Sequence, residues 1–400
     1  MKEAVYLSIT PRDPIVARDG RPFGMGQGIR MRSLDWPYPS VLAGSLRTML
    51  GKMDGGVFDA SAVELLKAVQ ISGPLPEFKG QIYLPSPKDI LVKDDDDEKR
   101  QAYAIRPIWM KTGEGCDLPE GVIPAMLPES ITDEFKPAKM PSFWSVDMMS
   151  KWLINPRGES FDAPPDPEKI GENKGFLKIP EKDTRTHVKI DPKSGTSEEK
   201  MLFETVGLDL SLKGQKDGIQ LAARVESDNR FGDLAANIGT FHPLGGERRL
   251  AYWKKEEAQN GWTCPDIVAE ALKGKTRIRM VLATPAIFSD GWKPGWLNGW
   301  KDGEIPDFWP EGLELRLISA CTDRWKPISG WSLERDSRGP KAIRRFVPAG
   351  SVYFFEIPPS KSIDAEEMAK KLWMRSVSDN DRDRRDGFGL AVWGLWDFAD

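Results

Sequence analysis

A chain of 400 residues is longer than a single hydrophobic core usually serves, so two domains are the first expectation. Its formal net charge of −4 argues against a generic nucleic-acid coat and leaves room only for local basic surfaces. No apolar run is long enough to span a bilayer, and the N-terminal residues carry no signal-peptide core. We therefore expect a cytoplasmic protein with no membrane partner.

Cysteine and histidine are too sparse for most metal and redox chemistry. The three cysteines, Cys116, Cys264 and Cys321, lie far apart and form no CxxC pair, so neither a disulfide framework nor a zinc site is predicted. The two histidines, His187 and His242, stand outside any HExxH or HxH pattern. We expect no metal and no cofactor.

The opening segment, residues 10–47, is rich in arginine, glycine and proline. Prolines fix a backbone, glycines let another backbone come close, and arginine forks suit phosphate, so the composition favours an anionic polymer as ligand. The pattern predicts a helix over 41–50, with Ser40 as its N-cap and Gly51 at its end. One face of that helix would carry Ser40, Gly44, Arg47 and Gly51. A plain surface helix explains the same pattern equally well.

The first half of the chain predicts a β-α-β-β-α-β unit with a long insertion at 91–210. Its elements in chain order are a strand at 5–9, helices at 41–50 and 60–69, strands at 82–84 and 220–226, a short helix at 231–238 and a strand at 250–253. The insertion contains a predicted helix at 145–153 and a β-hairpin that spans 185–205 with a polar tip. We expect a hairpin of that length to pack against another surface.

The second half predicts a similar unit. Its elements are strands at 277–283, 314–320 and 352–357, an amphipathic helix at 365–374 and a closing aromatic strand that ends near Trp396. Each half ends on a helix, a glycine turn flanked by arginines and an aromatic strand. We therefore expect a duplicated α+β architecture, with domains at 1–258 and 259–400.

The glycine turns have a functional and an ordinary interpretation. Gly274-Lys275-Thr276 follows a helix and lacks the first glycine of a phosphate loop, and Gly387-Phe388-Gly389 lacks the third glycine of the dinucleotide fingerprint. Turns without side chains could instead let an RNA backbone approach peptide N–H groups. Each turn alone is better explained as a tight turn. Their recurrence, at Gly245-Gly246 and at 387–389, favours the functional interpretation.

Basic and aromatic residues cluster elsewhere in the chain. Lys341, Arg344 and Arg345 lie in a stretch without acidic residues, which favours phosphate contact over a solvated face. Arg384 and Arg385 alternate with aspartates, so some pairing inside the protein is expected. Most of the fifteen tryptophans are expected to pack in cores or interfaces rather than stack on bases.

Together these motifs resemble the family of third subunits of Cmr complexes, RAMP-superfamily proteins of type III-B CRISPR effectors. The resemblance rests on Pro11-Arg12-Asp13-Pro14, on 18–23, on Trp36-Pro37 with 44–47, on the hairpin at 185–205, and on the glycine turns at 245–249 and 387–389. Residues 348–353 add to it. The acidic run at 93–100 and the proline-rich stretch after it have no counterpart that we can place.

The resemblance implies two tandem ferredoxin-like domains and no catalytic activity. It also implies binding of the 5′ repeat-derived tag of the CRISPR RNA (crRNA). The implied protein partners are the large polymerase-like signalling subunit and the first backbone subunit, and the hairpin, at 184–210, would press as a thumb on the guide–target RNA duplex. The predicted RNA-binding residues are Arg18, Arg21, Ser40, Gly44, Ser45, Arg47, Arg185, His187, Gly245, Gly246, Arg248, Arg249, Lys341, Arg344, Arg345, Arg384, Arg385, Gly387, Phe388 and Gly389.

Two other functions fit the sequence. One is a RAMP-type, metal-independent endoribonuclease that processes CRISPR repeat RNA, with His187 or His242 as general acid or base. A lone histidine on a strand is more often structural, which weakens this alternative. The other is a purely protein-bridging subunit whose arginines do not contact RNA.

Overall fold

A computed structural model describes residues 4–18, 29–31, 33–94, 99–132, 134–159, 161–170, 175–212, 217–300, 305–332, 339–359 and 363–398. Within these residues, no helix is long and apolar enough to cross a membrane. The two main sheets are antiparallel, and helices are interspersed among their strands along the chain, so the fold class is α+β.

The elements have the following bounds. The strands are β1 (Ala4–Pro11), β2 (Ile29–Arg30), β3 (Gln70–Phe78), β4 (Gln81–Pro85), β5 (Ile90–Asp94), β6 (Arg100–Ala104), β7 (Arg106–Pro107), β8 (Ala125–Met126), β9 (Phe143–Ser145), β10 (Phe176–Leu177), β11 (Glu181–Ile190), β12 (Ser197–Asp209), β13 (Gln220–Glu226), β14 (Gly239–Pro243), β15 (Leu250–Glu256), β16 (Arg277–Leu282), β17 (Arg316–Cys321), β18 (Lys326–Ile328), β19 (Trp331–Ser332), β20 (Gly339–Pro340), β21 (Arg344–Phe346), β22 (Val352–Glu356), β23 (Arg375–Ser376) and β24 (Leu390–Leu395). The helices are α1 (Pro39–Met53), α2 (Ala60–Ala68), α3 (Val146–Leu153), α4 (Arg230–Ala235), α5 (Asp266–Leu272), α6 (Ala365–Leu372) and α7 (Asp381–Arg385), with a 3-10 turn at Gly295–Asn298.

The chain divides into two compact units. Unit 1 comprises Met1–Lys79, Ile179–Glu257 and Lys326–Arg345. Unit 2 comprises Gly80–Lys178, Ala258–Trp325 and Phe346–Asp400. The predicted boundary at residue 258 therefore describes only part of the division, because most of the long insertion lies in unit 2 and a segment of the second half lies in unit 1.

Unit 1 is built on an antiparallel sheet in the order β3-β13-β1-β15-β14. Alternation along β1 sends Leu7 and Ile9 to one face, where Leu42 and Leu46 of α1 are also completely buried. Helix α1 packs on β3, α2, α4 and β14. Burial of each such leucine contributes about 1.5–3 kcal/mol, so this face is the hydrophobic core of the unit.

The hairpin of unit 1 is formed by β11 and β12, which pair from Glu181↔Asp209 to Ile190↔Ser197. Its polar tip closes through an N–H of Gly195 donated to the Asp191 carbonyl over 2.8 Å. Midway along the hairpin, at Phe203 and Glu204, β12 pairs in parallel with β2. The hairpin and its tip agree with the prediction, because alternating strands around a polar Asp-Pro-Lys-Ser-Gly turn leave little ambiguity.

Unit 2 carries a second antiparallel sheet in the order β17-β22-β16-β24-β23. Helices α5 and α6 pack on each other and on β24. Between β16 and β17 the described residues form a tryptophan-bearing loop with the 3-10 turn rather than an α-helix. The helix that packs beside α6 is α5, which precedes β16, instead of a helix between β16 and β17.

A buried ion pair ties the stretch Gly80–Lys178 into unit 2. Arg279 on the central strand β16 donates to the Asp89 carboxylate and to the carbonyl of Trp152, and all three residues are buried. The indole N–H of Trp152 donates to Asp89 over 2.9 Å. Burial lowers the pKa of Arg279 from its ordinary value, and Asp89 opposes that shift. A buried charge must keep its partner, so this network explains why the stretch leaves the first domain.

The sequence prediction missed one strand of unit 1. The strand that follows α2 in this unit is β3, whereas β4, at the predicted position 82–84, belongs to unit 2. Pro74 and Pro76 argue against a strand. Between the pairs Leu75↔Ala222 and Ser72↔Arg224, β3 has one residue more than β13, and this bulge accommodates Pro74.

Helix α1 is longer than predicted. Tyr38 is its N-cap and Pro39 occupies its first turn, so Ser40 is not the cap. Gly51 lies inside the helix, where a Cβ would come within 2.4 Å of the Phe58 ring. The helix therefore buries Gly51 instead of exposing it beside Gly44 and Arg47.

We expect Asp89→Asn to lower the free energy of unfolding by about 3–5 kcal/mol, because it leaves the buried Arg279 without a counter-charge. Urea titration followed by tryptophan fluorescence measures this. Lys370→Gln, which removes an exposed pair with Glu366, is the control and should leave the midpoint unchanged. Equal midpoints for both variants and the unaltered protein would contradict the anchoring role of Asp89.

Candidate nucleic-acid interface

The turn between β14 and β15 packs directly against the opening segment. The N–H of Gly246 donates to the Val16 carbonyl over 2.7 Å, and Val16 and Gly245 form a parallel bridge. Gly245 has a φ of +77°, and a Cβ there would lie 2.4 Å from the Val16 oxygen. Glycine is required on both counts. The close approach predicted for an RNA backbone at Gly245-Gly246 is made by the chain's own Val16.

The next two residues of the turn are exposed to solvent and leave their peptide N–H groups without an acceptor among the described residues. Glu247 and Arg248 are exposed and have φ values of +56° and +50°, a conformation that side-chain-bearing residues adopt at some cost. Among the described residues no acceptor takes the N–H groups of these two residues. Arg249 is half-buried beside them. The turn therefore presents free peptide N–H groups next to two guanidinium groups, a combination that suits an anion.

Backbone pairing brings the opening segment and the hairpin base to the same place. Ile15 pairs with Leu208 of β12 through two N–H···O bonds of 2.9 and 2.8 Å. The N–H of Arg12 donates to the Leu250 carbonyl, directly after the turn. Arg18 is exposed and pairs with Ser33 on the chain that leads to α1. Arg21 lies outside the described residues.

The predicted residues of α1 divide between exposed and structural roles. Gly44 is exposed, with open space where a Cβ would stand, and Ser40 and Ser45 are half-buried. Arg47 donates to the Val69 carbonyl over 3.0 Å. That bond places Arg47 at the start of β3, opposite in the sheet to the β1 end that carries Arg12. The helix therefore does not bring Arg47 to the turn.

On the hairpin, Arg185 is exposed and pairs with Asp183 over 2.6 Å. The His187 ring stacks on Phe203 at 5.1 Å between centroids, and its Nε2 lies 2.8 Å from the Thr205 hydroxyl. These contacts give His187 a structural role within the hairpin.

The glycine turn of unit 2 is buried, in contrast to the prediction. Gly387, Phe388 and Gly389 are all shielded from solvent. Their N–H groups donate to the carbonyls of Arg384, Asp383 and Pro285, respectively. A Cβ on Gly389 would lie 2.8 Å from the Ser378 nitrogen. These glycines serve tight packing inside unit 2, and their peptide groups are already bonded.

The arginines beside that turn are also engaged within unit 2. Arg384 is buried, donates to the carbonyls of Ser378 and Asp379, and lies over the Trp300 ring at 5.1 Å. Arg385 pairs with Asp381 over 2.6 Å. The expectation that some of these arginines pair inside the protein is correct, and the expectation that Arg384 contacts RNA does not fit its burial.

The third predicted basic cluster is exposed on unit 1. Lys341, Arg344 and Arg345 are exposed, and β21 pairs with β18. The N–H of Lys341 donates to Gly330 over 2.8 Å. This cluster is separate in sequence from the turn at 244–249, and it offers a second cationic surface.

The described part of the chain contains no cluster of metal-binding side chains, and His242 lies buried in it. No three His, Cys, Asp or Glu side chains come together there in a way that could hold a metal ion. His242 is buried on the core side of β14, and its Nδ1 lies 3.1 Å from the Pro243 carbonyl. Burial lowers the pKa of His242 below its ordinary value, with a smaller contribution from the charge of Lys52.

Sequence reasoning missed two aromatic side chains beside the turn, Phe241 on β14 and Tyr252 on β15. Strand β14 was not predicted, because Thr240-Phe241-His242-Pro243 is short and ends on a proline. The signal that could have found it is alternation: Phe241 is exposed and His242 is buried.

Comparison with known proteins supplies the family. The profile of the family described as CRISPR-associated protein (Cas_Cmr3) matches residues 7–396. No curated protein matches the sequence. Among solved structures, a chain of a type III-B Cmr-beta complex bound to cognate target RNA is similar, with 15% identity, a TM-score of 0.45, and 87% of this chain and 86% of that chain covered. A chain of a Csm3-Csm4 subcomplex of a type III-A CRISPR-Cas interference complex has 13% identity, a TM-score of 0.38, and coverages of 88% and 93%.

We expect the stability of the protein to fall as the pH drops below about 6.5, the ordinary histidine pKa that applies to the unfolded chain. Below this pH the unfolded chain binds a proton at His242 more readily than the folded protein does, because the pKa of His242 is lowered in the fold. The lowered pKa therefore favours the folded state above this pH, and that contribution to stability is lost below it. The loss is at most about 1.4 kcal/mol per pH unit.

Urea titrations at pH 7.5 and pH 5.5 on the unaltered protein and on His242→Gln measure this effect. The free energy of unfolding of the unaltered protein should exceed that of His242→Gln by less at pH 5.5 than at pH 7.5. A difference that stays constant, or grows, would contradict it.

Proposed function

The chain belongs to the Cas_Cmr3 family of CRISPR-associated proteins, subunits of type III effector complexes, and we propose that it holds the 5′ tag of crRNA in a type III-B complex without cutting it. The observation that carries this proposal is the exposed Glu247-Arg248 turn, with unbonded peptide N–H groups, held against the arginine-bearing opening segment.

The chemistry of this surface suits a single-stranded RNA end. Arg12, Arg18 and Arg248 are exposed within a few residues of the Val16 contact. Arginine forks and peptide N–H groups both donate to phosphate oxygens, and a fixed set of such donors places a strand in one register.

We propose further that each unit is a ferredoxin-like domain. The order β3-β13-β1-β15 and the order β17-β22-β16-β24 both place the third strand of the unit beside the first, the second strand beyond the third, and the fourth strand on the other side of the first. In each sheet a short strand, β14 or β23, pairs antiparallel with the last one. Unit 2 departs from the pattern because α5 precedes its first strand.

The hairpin β11–β12 is the proposed thumb. Its base is fixed to unit 1 through Ile15 and through an ion pair of Lys182 with Asp35 at 2.7 Å, whereas its distal half is exposed. Such an arm could lie along the guide–target duplex. We propose the large signalling subunit and the first backbone subunit of the complex as the protein partners.

A non-catalytic role fits the histidines better than the endoribonuclease alternative does. The ring of His187 is stacked on Phe203 and lies within hydrogen-bond distance of Thr205, and His242 is buried, which lowers its pKa. A general acid or base must reach the substrate's proton. These contacts favour structural roles for both rings.

We expect the double variant Arg12→Ala, Arg248→Ala to bind a crRNA-tag oligonucleotide more weakly and with a smaller salt dependence. Two lost phosphate contacts should reduce the slope of log K against log salt by about 1.4 for single-stranded RNA. Fluorescence anisotropy between 50 and 300 mM salt measures it. Arg382→Ala, an exposed arginine of unit 2, is the matched control and should leave the slope unchanged.

An unchanged slope in the double variant would contradict the assignment of this surface. Equal losses in the double variant and in Arg382→Ala would show a general charge effect, which would also contradict it.

A further inference from the structure

Two aromatic rings lie exposed side by side next to the open turn. Phe241 and Tyr252 occupy paired positions on β14 and β15, and their ring centroids are 5.1 Å apart with an interplanar angle of 55°. Phe241 is 54% exposed and Tyr252 36%. A cross-strand aromatic pair stabilises a sheet by only about 0.2–1 kcal/mol. Two adjoining large rings in water form an exposed apolar patch of the kind that marks a binding site.

The sheet determines why these rings face outward. Trp253 and His242, their neighbours in sequence, are buried on the helix-covered face, so alternation sends Phe241 and Tyr252 to the opposite face. Thr10 of β1 pairs with Tyr252 and is also exposed. Because β14 is the last strand of the unit 1 sheet, the pair lies at an edge that a flexible ligand can reach.

The charges around the pair favour a nucleic acid over a protein segment. Tyr252 lies two residues after Leu250, or about 7 Å along a strand, so the rings adjoin the turn and its arginines. Arg12, whose N–H donates to Leu250, has no ion-pair partner among the described residues, and neither has Arg248. With Arg249, three arginines lie beside the pair against two nearby carboxylates, so the local charge is positive. The carboxylates are Asp13, which accepts from the Leu250 N–H over 3.4 Å, and Glu247, which is exposed in the turn.

We propose that Phe241 and Tyr252 form a base-stacking platform for a single-stranded RNA whose phosphates lie on the adjacent turn. Every base has a π-face, so stacking on such rings tolerates any sequence, while the arginines and N–H groups hold the backbone. The platform rests on the proposed RNA-holding function and adds base contact to it. It makes the edge of the unit 1 sheet, rather than the turn alone, the place where unpaired nucleotides lie.

The test uses the full chain and two fluorescein-labelled probes, an oligoadenylate RNA octamer and an abasic octamer with the same number of phosphates. Phe241→Leu and Tyr252→Leu keep apolar bulk but remove the rings. Each should weaken binding of the octamer roughly five- to tenfold and leave both the salt slope and the affinity for the abasic probe unchanged. Phe241→Trp and Tyr252→Phe keep an aromatic face and should retain the affinity of the unaltered protein.

Three results would overturn the platform, and they separate it from the function on which it rests. Unchanged octamer affinity in both leucine variants, together with loss in Arg12→Ala, Arg248→Ala, would remove the platform and leave the RNA-holding function intact. Equal affinity of the unaltered protein for the two probes would also remove the platform and leave the RNA-holding function intact. The rings would then be assigned to a protein contact. Absence of binding to either probe would overturn both proposals.

The leucine variants lie at exposed positions, so their unfolding midpoints in urea should match that of the unaltered protein. Phe241→Trp provides a second readout that does not depend on a loss of affinity. Its added indole fluorescence should be quenched by the octamer and not by the abasic probe, and equal quenching by both would count against stacking.

Discussion

The candidate interface depends on one carbonyl oxygen, that of Val16. It accepts the Gly246 N–H, and it approaches Gly245 so closely that any side chain there would collide with it. Because the residue before it, Ile15, pairs with the hairpin base, this contact holds the opening segment, the thumb and the turn in one arrangement. Glu247 and Arg248 follow in left-handed backbone conformations, and among the described residues no acceptor takes their N–H groups.

The two units have similar strand orders but use their closing hairpins differently. In unit 1 the hairpin turn is open and flanked by exposed rings. In unit 2 the equivalent turn, Gly387-Phe388-Gly389, is buried. Asp379 accepts the N–H groups of Ser289 and Gly295 at 2.7 and 3.1 Å. A carboxylate of the chain itself thus takes donors that could otherwise serve an external anion. This difference favours unit 1 as the RNA-holding half and a packing role for the glycines of unit 2.

Sequence patterns predicted most elements that are decided by local chemistry. The hairpin, β13 and α3 follow from alternation, capping and turn residues that agree with one another. The strand β3 was missed because Pro74 and Pro76 are unfavourable in a strand, and the bulge of β3 that accommodates Pro74 depends on its pairing with β13. The placement of 80–178 was missed because it depends on Arg279 and Asp89, which are 190 residues apart in sequence.

Site residues were predicted less well, because residue type does not reveal burial. Gly389 and Arg384 have the composition of a phosphate site, yet both are enclosed by unit 2. Gly245 was chosen for a close backbone approach, which does occur, but the approaching backbone is that of Val16. Phe241 and Tyr252 carried no motif and become visible only once the register of β14 with β15 is known.

The most direct test of the account is photocrosslinking of a 4-thiouridine-substituted crRNA-tag oligonucleotide to the full chain, with the linked peptides identified by mass spectrometry. The account predicts crosslinks within 12–18 and 239–256. Crosslinks confined to 387–389 and its flanking arginines, with none in the turn of unit 1, would contradict it.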